Sequence, residues 1–316
     1  MVEILKIASQ VGEGFNTALR DRLGHVDIVA IPAGVPANLP GDIKALVAYP
    51  MKAAGQDDPP RPEGWPFGLQ LVQMVSVGKD LYPDWLFDAP MVTCARGATS
   101  EALAEFGLAA IFGAAKCMPD IWISSAEQWR LREISMVRGK TLGLFGFGGI
   151  GSALAPKAIA LGMKVVATRR TDSPFDVPGV ERVETLAELL SCSDHLVLAA
   201  PATPSTEGVL NDAMLRHAKP GIHIINLARG SLIDEQALIK ALDDGRVSLA
   251  SLDVAAQEPP QPDHPFYTHP RIRLSPHVAV MTEDVGSALV EKLAINFERF
   301  RSGVRPVDVV DVQRGY

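Results

Sequence analysis

Three polar side chains follow short β-like runs in the second half of the chain, and together they could do chemistry on a carbonyl. They are Arg229, Glu258 and His277. Taken singly, such a residue on a loop is most often structural or solvated. Taken together they supply a cation, a carboxylate and a titratable imidazole, which are the groups needed when a 2-oxo acid is reduced by hydride. The pattern therefore favours a catalytic site, provided that the three runs are strands of one sheet.

A glycine-rich turn indicates where the hydride donor would bind. Gly146, Gly148 and Gly151 form G-x-G-x-x-G between an apolar run and an Ala/Leu-rich helical pattern. In that context the first glycine permits a tight turn, the second lets the backbone approach a pyrophosphate, and the third lets helix and strand pack closely. An ordinary glycine-rich turn is the alternative, but the flanking elements favour a dinucleotide site. The residues predicted to bind the cofactor here are Gly146, Phe147, Gly148, Gly149, Ile150 and Gly151.

The strand that follows this turn ends in a pair of arginines. An NAD site usually has an Asp or Glu there, which accepts a hydrogen bond from the ribose 2′-hydroxyl. Here Arg169 and Arg170 follow Thr168 instead. A guanidinium pairs with a 2′-phosphate through charge-assisted hydrogen bonds, whereas a carboxylate would repel it. The alternative is two solvated arginines on a loop. The loop favours NADP as the cofactor, with NAD a weaker possibility.

Apolar runs alternate with helical patterns along the chain, which predicts an α/β fold. We predict two Rossmann-like domains. The nucleotide-binding domain, residues 99–282, would be a doubly wound parallel sheet inserted into a smaller flavodoxin-like substrate domain, residues 1–98 and 283–316. A strong helix-forming stretch at 101–116 would link them. Ligands of such sheets bind beyond the carboxyl ends of the strands, where the polar residues named above stand.

Composition and charge narrow the class of protein. The chain has 316 residues, 47% hydrophobic and 21% charged, which is typical of a soluble globular protein of two domains. Its net charge of −7 gives no basic footprint for nucleic acid. We find no apolar run long enough for a membrane span and no signal peptide. The three cysteines are widely spaced. These features predict a cytoplasmic protein with reduced thiols that binds neither nucleic acid nor membrane.

Several short motifs occur along the chain in a particular order and spacing. They are GFGGIG, PATPST (201–206), NLARGSLIDEQAL (226–238), SLDVAAQEP (251–259), SPHVA (275–279), and upstream 75–80 and 97–105. In order and spacing these motifs resemble those of the D-isomer-specific 2-hydroxyacid dehydrogenases. The resemblance covers essentially the whole chain after about residue 70, and the paired arginines with the ending 307–316 are most similar to the NADPH-dependent glyoxylate/hydroxypyruvate reductase branch.

The resemblance implies a role for each site residue. His277 would protonate the carbonyl oxygen, Glu258 would fix its tautomer and favour its charged form, and Arg229 would polarise the carbonyl and grip the carboxylate. Asp253 would hold the nicotinamide carboxamide. Further residues implied to lie along the cofactor are Pro201, Thr206 and Ala228. Those implied to bind substrate are Tyr49, Met51, Val77, Gly78 and Arg229, with the proline-rich loop that holds Trp65 as a possible cover.

Other functions compete with reduction of a small 2-oxo acid such as glyoxylate or hydroxypyruvate. An aromatic 2-oxo acid of the hydroxyphenylpyruvate type is the alternative substrate, and a non-catalytic dinucleotide-sensing regulator is an alternative class of protein. Metal-dependent hydrolysis would use Asp253, Glu258 and His277 as ligands, but we predict no metal because only one histidine is available. The resemblance also implies a homodimer, paired through helix 101–116 and the apolar segment 117–136.

Overall fold

The computed structural model describes residues 4–53 and 56–312. Gly55, which begins the proline-rich loop, and residues 313–316, which belong to the ending cited above, lie outside the described residues. The chain divides into two compact units, of which the first comprises residues 1–99 and 281–316 and the second comprises residues 100–280.

Strands and helices alternate in both units. The strands are β1 Leu5–Ser9, β2 Val26–Ala30, β3 Ala45–Ala48, β4 Leu71–Met74, β5 Val92–Thr93, β6 Thr141–Phe145, β7 Lys164–Thr168, β8 Val180–Arg182, β9 His195–Leu198, β10 Ile222–Asn226, β11 Val247–Leu252 and β12 Ile272–Leu274. The α-helices are α1 Glu13–Leu23, α2 Ser100–Ala115, α3 Gly149–Ala160, α4 Leu186–Cys192, α5 Asp212–Leu215, α6 Glu235–Asp243 and α7 Glu283–Arg301.

The first unit is a parallel five-stranded sheet with the order β2-β1-β3-β4-β5. This is the flavodoxin-like order, as the sequence predicted. Helices α1 and α7 cover one face, where Leu19, Leu293 and Phe297 are fully buried in one apolar cluster. The Thr282 hydroxyl caps α7 by accepting from the Val285 N–H. The unit therefore takes its final helix from the end of the chain.

The second unit is a parallel seven-stranded sheet with the order β12-β11-β10-β9-β6-β7-β8. The strand order reverses between β6 and β9, which are hydrogen-bonded neighbours. All five residues of β10 are buried, as expected for a central strand covered on both faces. Two separate apolar clusters pack on the two faces. The predicted doubly wound α/β architecture is confirmed, and its switch point is where such folds bind ligands.

Two elements were not anticipated from the sequence. Helix α1 occupies a stretch that we left unassigned, and β8 is a three-residue edge strand whose sequence, Val-Glu-Arg, is mostly charged. Such a short strand carries too few residues for an alternating pattern to stand out.

The loop that holds Trp65 belongs to the core of its own unit. The indole is 5% exposed and packs edge-on against Trp85 at a centroid distance of 4.9 Å and against Phe67 at 5.8 Å. Trp65 therefore has a packing role in the first unit, and a covering role for its loop stays a prediction.

Two features are absent from the part of the chain that the structure describes. No helix in this part of the chain is both long and apolar enough to cross a membrane. Within the same residues, no group of three or more His, Cys, Asp or Glu side chains is arranged to hold a metal ion.

Candidate active site

The glycine turn forms an open cradle at the end of β6. Gly146 has φ +97°, and a Cβ there would lie 2.8 Å from backbone atoms of Ala200, so only glycine fits. A Cβ on Gly151 would crowd the buried ring of Phe147 at 3.1 Å. A Cβ on Gly148, at the start of α3, would meet no atom of the described residues within 4 Å, its two chain neighbours aside. The space beside Gly148 at the N-terminus of α3 therefore suits a pyrophosphate.

The neighbouring strand β7 ends in the loop that carries the paired arginines. Thr168 is buried at the end of the strand, Arg169 is partly exposed and Arg170 is exposed. The Arg169 guanidinium donates to the Pro174 carbonyl at 3.3 Å. Both arginines thus stand at the carboxyl edge of the sheet, one strand away from the glycine turn.

His277 and Glu258 form a hydrogen-bonded pair beyond β11 and β12. The His277 Nδ1 donates to Glu258 Oε2 at 2.8 Å, which leaves Nε2 as the second proton-bearing nitrogen of the imidazolium. The bond to Glu258 raises the pKa of His277 above its usual range, against the opposing effect of partial burial. Burial favours the neutral carboxyl of Glu258, yet its bond from His277 lowers its pKa overall. The pair therefore favours a charged imidazolium and a charged carboxylate.

Arg229 follows β10 and lies close enough to this pair to act on both charges. Its positive charge lowers the pKa of Glu258 and opposes the rise in that of His277. Its backbone carbonyl accepts from Asn226 Nδ2 at 2.8 Å, and its guanidinium donates to the Ala228 carbonyl at 2.8 Å. The next residue, Gly230, packs so tightly that a Cβ would lie 1.9 Å from the Ala255 carbonyl carbon. The loops that carry Arg229 and Glu258 are therefore in direct backbone contact.

Asp253 holds the segment that carries His277. The side chain is 2% exposed, and its carboxylate accepts from the Ser275 hydroxyl at 2.6 Å and from the amides of Val278 and Ala279 at 3.0 Å each. The His277 amide donates to the Asp253 carbonyl at 2.9 Å. A carboxylate has about four acceptor sites, so these bonds leave room for one further donor, such as a carboxamide.

Glu235 is a supporting residue that sequence reasoning missed. At the start of α6, one of its carboxylate oxygens accepts from the Ala256 amide at 2.9 Å and the other lies 3.1 Å from His264 Nε2. It thereby anchors the loop that leads to Glu258, whose own Oε1 accepts from the Ala255 amide at 3.2 Å. An acid at the first turn of a helix is ordinary capping chemistry, so nothing in the sequence marked this one out.

The other predicted cofactor residues lie on loops after β9 and β10. The Thr206 hydroxyl donates to the Pro201 carbonyl at 2.7 Å and accepts from the Thr203 amide at 2.8 Å, which fixes the turn after β9. Ala228 is buried, and its amide donates to Asn226 Oδ1 at 3.1 Å. These loops share the sheet edge that also carries the glycine turn.

The predicted substrate residues other than Arg229 form a separate group in the first unit. Tyr49 and Met51 follow β3, while Val77 and Gly78 follow its neighbour β4, so both pairs leave one edge of the five-stranded sheet. Tyr49 is 48% exposed. Within residues 4–53 and 56–312, no acceptor is found for the amides of Val77 and Gly78. Two adjacent free amides are a suitable receptor for a carboxylate.

Comparison with known proteins identifies the family of this chain. The profile for the D-isomer specific 2-hydroxyacid dehydrogenase, NAD binding domain, matches residues 108–279. A glyoxylate/hydroxypyruvate reductase A from Serratia proteamaculans is 35% identical over 197 residues, a stretch that spans 61% of this chain and 62% of that protein.

Two solved structures match nearly the whole chain. One is a D-isomer specific 2-hydroxyacid dehydrogenase from Xanthobacter autotrophicus in complex with NADPH and MES, at TM-score 0.85 and 26% identity, covering 99% of this chain and 100% of that one. The other is an NADPH-dependent glyoxylate/hydroxypyruvate reductase from Sinorhizobium meliloti in complex with NADP and malonate. It matches at TM-score 0.73 and 26% identity, covering 98% of this chain and 97% of that one. The chain belongs to the D-isomer specific 2-hydroxyacid dehydrogenase family.

Proposed function

We propose that this protein reduces a small 2-oxo acid, such as glyoxylate or hydroxypyruvate, to the corresponding 2-hydroxy acid with NADPH. The observation that carries the proposal is the 2.8 Å pair of His277 and Glu258 beside the charge of Arg229, at the sheet edge that also carries the glycine turn. A proton donor, a charge stabiliser and a dinucleotide cradle are what this reaction requires of the protein.

The chemistry divides between the cofactor and the side chains. The nicotinamide, when bound, supplies the hydride that adds to the carbonyl carbon. His277 donates its Nε2 proton to the carbonyl oxygen, while Glu258 holds Nδ1–H and so stabilises the imidazolium before transfer. Arg229 stabilises the negative charge that develops on that oxygen and pairs with the substrate carboxylate. Asp253 keeps the His277 segment in place through its buried carboxylate.

The preference for NADPH rests on the loop after β7. Arg169 and Arg170 occupy the position where NAD-binding proteins have a carboxylate that accepts a hydrogen bond from a ribose hydroxyl. Thr168 can add a hydroxyl donor. The Xanthobacter and Sinorhizobium proteins were solved with NADPH and with NADP. The glycine turn would hold the pyrophosphate, Pro201, Thr206 and Ala228 would lie along the cofactor, and Asp253 would accept from its carboxamide.

The preference for a small acid rests on the anion-binding groups. Arg229 would pair with the substrate carboxylate. The resemblance gives Val77, Gly78, Tyr49 and Met51 of the first unit as further substrate-binding residues, with two backbone amides suited to an anion and two side chains that would limit the size of the substrate. The Sinorhizobium reductase was solved with malonate, a small dicarboxylate. The expected substrate therefore has a carboxylate directly beside the carbonyl and a short remaining chain.

A panel of 2-oxo acids assayed with NADPH and with NADH tests the proposal. We expect the highest kcat/KM with glyoxylate or hydroxypyruvate and NADPH, measured by loss of absorbance of the reduced nicotinamide. A higher kcat/KM with phenylpyruvate or hydroxyphenylpyruvate would assign an aromatic substrate instead. Absence of turnover with every acid, despite tight NADPH binding, would support the dinucleotide-sensing regulator.

The Arg169→Asp variant tests the cofactor assignment separately. A carboxylate there should repel the 2′-phosphate and accept from a ribose hydroxyl, so the Kd of NADPH should rise at least about tenfold more than that of NADH. Fluorescence titration of the purified protein gives both constants. Tighter binding of NADH than of NADPH by the unaltered protein would contradict this part of the proposal.

We also propose a homodimer. The segment 117–136 exposes several large apolar side chains, with Trp122 at 72% and Trp129 at 83% exposure, together with Leu131 and Met136. Exposed apolar patches of this kind mark protein interfaces. Light scattering at assay concentration should give twice the chain mass, and a Trp129→Glu variant should shift it toward the monomer. A monomeric mass for the unaltered protein would contradict the proposal.

A further inference from the structure

The loop that carries the paired arginines is held in shape by a side chain from the edge strand β8. The Arg182 guanidinium donates to the carbonyls of Arg169 at 3.2 Å, Thr171 at 2.6 Å and Ser173 at 3.3 Å. Its side chain is only 26% exposed. One planar group thus binds three carbonyls of a single loop, which a flexible ammonium cannot reproduce in the same geometry.

An aromatic contact connects Arg182 to the other half of the cofactor site. Its guanidinium carbon lies 5.7 Å from the ring centroid of Phe175, and that ring lies 4.4 Å from the ring of Phe147 in the glycine turn. Phe147 is 3% exposed. The pyrophosphate cradle and the arginine loop are therefore joined by one continuous chain of contacts, from Phe147 through Phe175 to Arg182.

The contacts also organise the electrostatics of the loop. The partial negative charges of three carbonyl oxygens that point toward one another would repel a phosphate. The positive charge of the Arg182 guanidinium offsets them. Bonding these carbonyls fixes the backbone on both sides of Arg170, so that the directions of the Arg169 and Arg170 side chains are set before a ligand arrives. Arg182 also contacts Glu184 at 3.3 Å, an ion pair that does not involve the loop carbonyls.

We infer that Arg182 is a positioning residue for the 2′-phosphate, which shapes the 169–173 loop and thereby sets the selectivity for NADPH over NADH. The inference rests on the proposed cofactor preference. Arg182 acts through the loop backbone. It contributes little to the binding of NADH, which lacks the 2′-phosphate.

The test compares Arg182→Gln, Arg182→Lys and a matched control, Glu184→Gln. The control removes the ion pair with Glu184 and keeps the carbonyl contacts and the ion pair with Asp172 at 3.8 Å. In fluorescence titrations, both Arg182 variants should raise the Kd of NADPH about tenfold while the Kd of NADH stays within about twofold. The Glu184→Gln control should keep both constants. At saturating NADPH, kcat should stay within about twofold of that of the unaltered protein, because the acid–base pair is untouched.

Three results of these titrations would overturn the inference. An unchanged Kd of NADPH in Arg182→Gln would remove any role in selectivity. An equal rise in the Kd values of NADPH and NADH would mean that Arg182 stabilises the cofactor site in general and does not set its selectivity. Full recovery of NADPH affinity in Arg182→Lys would mean that the charge, rather than the fork that binds the carbonyls, is what matters.

Amide hydrogen exchange without cofactor separates this inference from the proposed function. Residues 169–175 should exchange faster in Arg182→Gln than in the unaltered protein or in Glu184→Gln. Unchanged exchange in that segment would overturn the positioning role. If the unaltered protein prefers NADH, the proposed cofactor is wrong, and the inference about selectivity fails with it even where the exchange data show that Arg182 orders the loop.

Discussion

Two of the histidine sites in the second unit have opposite electrostatics. His195 and His223 lie side by side on β9 and β10, with their Nδ1 atoms 3.1 Å apart, and His223 Nε2 lies 2.9 Å from the Ser251 hydroxyl. Burial lowers the pKa of His195 to about 4 and that of His223 to about 3. His277 is partly exposed, and its carboxylate partner raises its pKa.

The difference shows that the partner and the burial, not the residue type, decide what a histidine can do. A contact between two Nδ1 atoms has room for one proton, so protonating both rings would break the bond and leave a buried charge. A carboxylate partner instead accepts from the imidazolium and stabilises it. Of the two sites, only the one with the carboxylate can hold a transferable proton near neutral pH.

The largest expected effect comes from removing the acid. His277→Ala should lower kcat by about 10²–10⁴-fold, the usual contribution of a positioned general acid, while the Kd of NADPH stays close to its original value. His217→Ala, which removes an exposed histidine of the same unit, is the matched control and should keep full turnover. Turnover of His277→Ala close to that of the control would exclude this histidine from the mechanism.

The buried pair should make the protein less stable as the pH falls. The unfolded chain takes up protons on His195 and His223 below about pH 6.5, but the folded chain does not until about pH 4 and pH 3. The stability that these groups give is therefore present above pH 6.5 and is lost as pH falls toward the folded values. Between pH 7 and pH 5 the loss in unfolding free energy should be on the order of 2–4 kcal/mol.

Denaturant unfolding at several pH values measures this loss. His277 acts with the opposite sign, because a raised pKa gives stability that is full below about pH 6.5 and lost as pH rises through the folded value. A His223→Gln variant, which keeps a polar group beside Ser251, should flatten the decline on the acid side. An equally steep decline in that variant would show that other groups cause it.

The features predicted from the sequence share a physical property. The glycine turn depends on backbone freedom that only glycine has, and Arg229, Glu258 and His277 follow strands whose apolar runs are visible in the sequence. Each is therefore encoded within a few neighbouring residues. The α/β class and the doubly wound architecture followed from the same local patterns.

The features that were missed depend on contacts between distant segments. Arg182 lies on a three-residue edge strand, and its partners are carbonyls that carry no signature in the sequence. Glu235 reaches the Ala256 amide across two loops. The buried histidine pair forms only because β9 and β10 are neighbours in register. These groups come together only in the folded protein, and their positions in the sequence do not indicate the contacts.

The pH dependence of kcat/KM in the Glu258→Gln variant tests the central claim most directly. If Glu258 holds His277 protonated, the activity of the unaltered protein should fall as pH rises through the raised pKa of His277, and the variant should lose activity at a lower pH than the unaltered protein. The measurement uses the best 2-oxo acid of the panel with saturating NADPH, from pH 5.5 to about pH 9.5. An alkaline limb that stays in place, or one that moves to higher pH, would contradict the account of His277 as the acid and Glu258 as the group that keeps it charged.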